Sequence, residues 1–327
     1  MVDKIKLILD NIELSNEAFG KFKFFSTAKN DKRIKVFKRF IKNDSRLNIE
    51  YKEYKISLTL LSNEKLSNNK LIIEGNFRKW YFGTDNISDL NKKKFCNVVS
   101  QVAKKIGIEQ NVLWNARVTK LETGVTVKLK EKHRGIVNCI FSYKNFRKNT
   151  YDNSGVEFKG ENYDVIFYDM LRRMFNRKHK LERQYKKLTK SNFFFRYEIQ
   201  VHKVSGVDMF KEKANTLLKI KNNWKYLGQN LITTLDNVKF VDVISPSQFM
   251  ELKGATKKPM TDYLTYKGIE SIGMENLRQL INQMKPKSRP DYRRDFIELY
   301  EKQLSEDKED YESIFKEFIQ NRVKELI

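Results

Sequence analysis

Apolar and polar residues alternate with period two over several stretches of the first two-thirds of the chain, the pattern of half-buried strands. Residues 20–26 (GKFKFFS) and 54–60 (YKISLTL) alternate, and residues 71–74 (LIIE) form a short apolar run before a turn-rich Gly75-Asn76. Residues 117–129 (RVTKLETGVTVKL) return to period two. Residues 136–143 read as an apolar strand paired with the one before it around a Lys132-His133-Arg134-Gly135 turn. Residues 162–168 (NYDVIFY) and 193–201 (FFFRYEIQV) complete the set, the latter as the last clear strand. Helical spacing takes over at residues 89–106, with Leu90, Phe95, Val98, Val99, Val102 and Ile106 on one side. Ser88 is the expected N-cap of that helix and Gly107 its stop. Residues 169–190 predict a strongly basic helix, and residues 268–327 predict two or three amphipathic helices. The expected fold is α+β: an antiparallel sheet with flanking helices over 1–245, a boundary near Ser245-Pro246, and a helical region over 246–327.

Charge changes this picture from a generic α+β protein to one with a polyanionic partner. The 327 residues hold 65 Lys plus Arg against 41 Asp plus Glu, a net charge of +24. The basic residues are spread along the chain, which predicts a wide footprint on nucleic acid, where neutralised phosphates release counterions. The alternative is a merely basic protein of biased composition. Cys96 and Cys139 stand in apolar surroundings without metal-ligand spacing and read as buried thiols of a reducing compartment. No apolar leader or long apolar run is present, so the expectation is a cytoplasmic protein without a membrane partner.

The sequence excludes several chemistries. It has no GxxxxGK[ST] phosphate loop and no zinc-ligand spacing, and its three histidines, His133, His179 and His202, form no His-x-His pair. What remains is acids and tyrosines on strands. Glu74 ends LIIE; Glu122 shares a face with Lys120 and Gly124; Glu198 shares one with Arg196, Gln200 and His202, opposite Tyr197. Carboxylates gathered from neighbouring strands would suit Mg²⁺ or Mn²⁺. Alternatively, each acid pairs with a lysine across the ladder. Tyr168 ends the strand VIFY and precedes a cationic helix, where Arg172 and Arg173 can offset phosphate charge during attack on a phosphodiester. Tyr185, farther along the same predicted helix, is the second candidate nucleophile.

Four segments in order resemble the replication initiators of filamentous phages and plasmids, the gene II/X family. They are residues 71–83 (LIIEGNFRKWYFG), 116–124 (ARVTKLETG), 164–173 (DVIFYDMLRR) and 193–206 (FFFRYEIQVHKVSG), and the resemblance covers about residues 50–230. Glu122 stands where the family usually has Asp, and Met170 where related initiators often place Lys. The resemblance implies a fold distantly similar to the HUH nickases, with acidic ligands in place of the His pair. It implies rolling-circle replication initiation: metal-dependent, site-specific nicking of origin DNA through a covalent 5′-phosphotyrosine on Tyr168, then strand rejoining. Glu74, Glu122 and Glu198 would hold the metal, and Arg78, Lys79, Arg177, Lys178 and Arg196 would contact duplex and single-stranded origin DNA. A host helicase and polymerase would be partners, with no small-molecule substrate.

Two rival readings make different demands. A non-enzymatic single-strand-binding module needs exposed aromatics and has no use for Glu122 or Glu198. A sequence-specific duplex binder acting through its C-terminal helices forms no covalent adduct.

Overall fold

The computed structural model describes residues 1–28, 31–43, 54–63, 68–84, 86–130, 133, 135–151, 154–175, 192–240, 257–272, 274–300 and 310–327. The chain divides into two units. One comprises Met1–Lys239 with Phe315–Ile327, and the other Phe240–Ile314. Residues 315–327 therefore belong with the sheet, whereas the sequence pattern grouped all of 246–327 into one helical region.

The first unit is α+β. Its strands are β1 (Val2–Leu9), β2 (Lys23–Ala28), β3 (Asp31–Ile41), β4 (Ile56–Asn63), β5 (Asn68–Asn76), β6 (Arg117–Lys130), β7 (Ile140–Tyr143), β8 (Arg147–Tyr151), β9 (Gly155–Lys159), β10 (Tyr163–Asp169), β11 (Asn192–Val201) and β12 (Val238–Phe240). Ten of them form one antiparallel sheet in the order β2-β3-β4-β5-β1-β6-β11-β10-β9-β8. The residue alternation that predicted β6 and β11 also sets their faces. Val125, Val127, Phe195, Tyr197 and Ile199 are buried on one side. There Phe315 meets Phe167 and Phe195, with ring centroids 6.0 and 5.3 Å apart, and the Tyr197 hydroxyl donates to the Leu231 carbonyl at 2.9 Å. Thr126, Arg196, Glu198, Gln200 and Glu122 occupy the other side.

Helix α1 spans Asn16–Gly20, α2 Phe77–Phe82, α3 Lys92–Ile106, α4 Gln110–Trp114, α5 Ile136–Cys139 and α6 Met170–Phe175. Three local expectations need correction. Gly75 and Asn76 are not a turn: both pair with β1, and the Asn76 side chain then caps α2 by accepting from Lys79 N at 2.7 Å. The α3 cap is Asn91 rather than Ser88, because Asp89 and Leu90 are drawn inward and buried before the helix begins. Gly107, left-handed at φ 86°, ends α3 as expected. Residues 136–143 do not pair with β6, both of whose edges are taken by β1 and β11; they form α5 and then β7, which pairs with β12. The short β12 also makes β11 not the last strand. Of the basic helix expected at 169–190, Met170–Phe175 is helical, and 176–191 lie outside the described residues.

The second unit packs Ile269, Leu277 and Ile281 with Tyr292, Phe296 and Tyr300. Among the described residues, no helix is long and apolar enough to cross a membrane.

Candidate active site

The register of the sheet assembles an acidic site on its polar face. In β11 against β6, Glu198 stands opposite Gly124 and Gln200 opposite Glu122, so the two glutamates are diagonal neighbours on one face. Gly124 makes this possible: a Cβ there would meet Glu198 Cγ at 2.8 Å and the Tyr197 carbonyl oxygen at 2.6 Å. Asp3, on neighbouring β1, completes a cluster in which one ligand oxygen from each of Asp3, Glu122 and Glu198 lies within 4.8 Å of the others. In β10 against β11, Tyr168 stands opposite Arg196. From there the Tyr168 hydroxyl donates to Glu198 Oε1 at 2.9 Å.

Arg196, fully buried, organises the acids. Its Nε donates to Glu198 Oε1 at 2.5 Å, its Nη1 to Asp89 Oδ1 at 2.7 Å and to Thr126 Oγ1 at 2.6 Å, and its Nη2 to Asp3 Oδ2. Arg78, also buried, donates to the same Asp3 oxygen at 3.0 Å, and Arg322 reaches Asp89 at 3.3 Å. Four carboxylates (Asp3, Asp89, Glu122, Glu198) thus meet three guanidiniums (Arg78, Arg196, Arg322). Among the described residues, Glu122 is the one of these four acids that no guanidinium pairs. The other acids feel their arginines. Burial, the largest single influence, would raise the Asp89 and Glu198 carboxyls, but the charge and hydrogen bond of Arg196 together with further cations, Arg322 at Asp89 and Arg173 at Glu198, hold both below the usual carboxylate range. Glu122 goes the other way: burial first, then the charges of Glu198 and Asp3, push it well above the usual range. Burial, then the Glu198 charge, also keeps the Tyr168 hydroxyl protonated well past its ordinary value.

The donor set fits a hard divalent cation. Two features of the cluster ask for positive charge: the unpaired Glu122, and Asp3 Oδ1, which is buried with no hydrogen-bond partner. Oxygens on opposite sides of such a cation are roughly 4–5 Å apart, so the observed spacing needs little adjustment.

The expected site residues fall into three groups. Glu122, Glu198 and Tyr168 come together. Arg173 lies over the Tyr168 ring, 4.3 Å from its centroid, and exposed Arg172 follows at the start of α6. Glu74 does not join them. It stands on β5, where Lys4 and Lys6 hold it at 3.7 and 3.4 Å, so for this acid the ladder-pairing alternative describes the structure, and Asp3 takes the place expected for it. Arg78 and Arg196 are corrected as DNA contacts: both are buried and committed to carboxylates, out of reach of a phosphate. Lys79 is half-buried on α2, close enough for its charge to oppose the rise at Glu122. Tyr185, Arg177 and Lys178 lie outside the described residues. The sequence reading missed Asp3 and Asp89. Asp3 sits in an apolar run, MVDKIKLIL, where an acid on the buried side of a strand was a usable signal. Asp89 had none, because only the fold turns it toward Arg196. Comparison of the chain with protein-family models, with curated proteins and with solved structures finds no match.

The electrostatics of Glu122 make a thermal prediction. Its folded-state pKa lies above the ordinary 4.5, so the folded protein keeps a proton that the unfolded chain releases. Without a cation, stability should fall as pH rises from 4.5 toward that raised value. Glu122→Gln should therefore raise the Tm of the cation-free protein at neutral pH by a few degrees, and any rise on adding Mn²⁺ to the wild type should be absent from the variant. Scanning fluorimetry with and without Mn²⁺ checks both; a Mn²⁺ shift that survives the substitution takes Glu122 out of the ligand set.

Proposed function

We propose that this chain is a DNA-nicking enzyme that initiates rolling-circle replication, with Tyr168 as nucleophile. The observation that carries the reading is the Tyr168 hydroxyl, 2.9 Å from a buried carboxylate that itself belongs to a three-acid cluster. A tyrosine packed only for structure gains nothing from an acidic pocket able to hold a cation.

The chemistry follows from the pair. Glu198 is kept anionic by Arg196, so it can accept the phenolic proton as Tyr168 oxygen bonds to phosphorus. The P–O3′ bond breaks, the 3′ oxygen leaves as a hydroxyl by taking a proton from water, Glu198 returns the phenolic proton to solvent, and the 5′ phosphate stays on Tyr168. The new ester conserves the phosphodiester energy, so rejoining needs no nucleotide hydrolysis, in keeping with a sequence lacking a P-loop. A divalent cation held by Asp3, Glu122 and Glu198 would neutralise phosphate oxygens. Arg173, over the Tyr168 ring, is placed to do the same. The resemblance of the four segments to gene II/X initiators points the same way, as does the net charge of +24, which suits a DNA substrate.

The test is incubation with supercoiled DNA of the parent replicon and Mg²⁺, then a denaturing gel. The expected result is relaxed circles and protein carried on the 5′ end of one strand. Binding without any adduct, across divalent cations, would leave only a DNA-binding module.

A further inference from the structure

The edge of the sheet farthest from Tyr168 exposes aromatics among cations. Strands β2 and β3 lie there, and Phe24, Phe25 and Phe40 are about 60, 60 and 59% exposed. Three phenylalanines left in water on an edge hairpin are unfavourable unless something covers them. Residues 21–42 hold nine Lys or Arg (Lys21, Lys23, Lys29, Lys32, Arg33, Lys35, Lys38, Arg39, Lys42) and one acid, Asp31. A protein partner's apolar face would not call for this charge, whereas a flexible polyanion with exposed ring faces would.

The register gives the patch a direction. Phe40 pairs with Ser57, Ser57 with Glu74, Glu74 with Lys6, and Lys6 with Lys120, so these five residues form one row across the polar face. At about 4.8 Å per strand the row runs roughly 19 Å. It ends two residues along β6 from Glu122, where Lys4, Lys6, Lys120 and His202 line a small cavity with Glu74 and Glu122. One row away, Lys23 pairs with Lys38, whose ammonium stands 3.6 Å from the centre of the Phe25 ring.

We infer that the polar face of the β2–β3 hairpin is a platform for single-stranded DNA. Bases stack on Phe25 and Phe40, Lys23 and Lys38 meet the intervening phosphates, and the row through Ser57, Lys6 and Lys120 leads the strand toward the acidic cluster. Duplex DNA, whose base faces are stacked inside, has no use for the two rings. The platform binds whether or not Tyr168 cuts; only its service to the nicking site rests on the reading above.

Fluorescence anisotropy with labelled oligo-dT, without divalent cation, tests this in the full chain. Phe25→Ala with Phe40→Ala should weaken binding by about tenfold or more, and Phe25→Tyr with Phe40→Tyr should retain it. Lys38→Gln should lower the slope of log affinity against log salt by about 0.7, one phosphate's share. A matched duplex should bind all variants alike. Thermal melts confirm that these exposed substitutions leave the fold intact. Oligo-dT binding unchanged in the double alanine variant, or an equal loss for duplex, overturns the proposal. The two readings fail separately. A wild type that forms no adduct while the alanine variant loses oligo-dT binding removes the nickase and keeps the platform; adduct formation with unaltered oligo-dT binding does the reverse.

Discussion

Tyr168→Phe should form no protein-linked DNA while remaining folded and binding DNA as the wild type does. The substitution removes one oxygen and keeps the ring against which Arg173 packs. It also removes the hydrogen bond to Glu198, whose second oxygen still accepts from Gln200 at 3.3 Å and whose first still accepts from Arg196. The stability cost should be at most roughly 1.5–3 kcal/mol, the range for a hydrogen bond to a charged group. The activity effect should be of another order, since without the hydroxyl there is no bond to form. Denaturing gels of the trapped reaction read the adduct, and circular dichroism reads the fold. Adduct retained in Tyr168→Phe and lost in Tyr185→Phe would move the nucleophile to Tyr185. Adduct retained in both would refer it to another residue.

Arg196→Met should destabilise the protein strongly. The side chain it replaces is fully buried and bonded to Asp3, Asp89 and Glu198 at once. Methionine approximates its volume, so little of the loss comes from a cavity. What remains is buried carboxylates with fewer counter-charges, for which roughly 3–5 kcal/mol is expected. The pH dependence identifies the cause. Asp89 and Glu198 have folded-state pKa values held below the ordinary 3.8 and 4.5 by Arg196, so they contribute stability that is present above those values and lost as pH falls through the depressed ones. The variant lacks that contribution. The gap between wild type and Arg196→Met should be full at neutral pH and narrow below about pH 4.5, as the orphaned acids take up protons. Urea unfolding at several pH values measures this. A gap independent of pH would mean that Arg196 acts through packing alone.

Arg196 is also the residue at which sequence and structure part most clearly. In FFFRYEIQV the alternation places Arg196 and Glu198 on one face and Tyr197 on the other, as observed. From that strand alone, a basic residue on a polar face in a chain of net charge +24 reads as a phosphate contact. Whether a polar face is open to water or closed by other segments is not a property of the strand. Here Asp3 from β1 and Asp89 from the loop before α3 converge on the guanidinium from 193 and 107 residues away along the chain. Glu74 shows the converse. Its strand was legible, but its partners are Lys4 and Lys6, which only the β1–β5 register brings opposite it.

The sequence by itself determined what depends on near neighbours along the chain. Period-two alternation set β6, β10 and β11 and their two faces, helical spacing and Gly107 set α3, and charge composition set the class of partner to expect. Glu122, Glu198 and Tyr168 were each identifiable as polar residues on otherwise apolar strands. The tertiary structure alone decided which of them meet. Strand order and register are fixed by the burial of whole faces, a sum over many residues far apart in sequence, and a slip of one position would send every side chain to the opposite face. That sum put Asp3 beside the two glutamates, left Glu74 to its lysines, and enclosed Arg196 among acids that a local pattern has no means to gather.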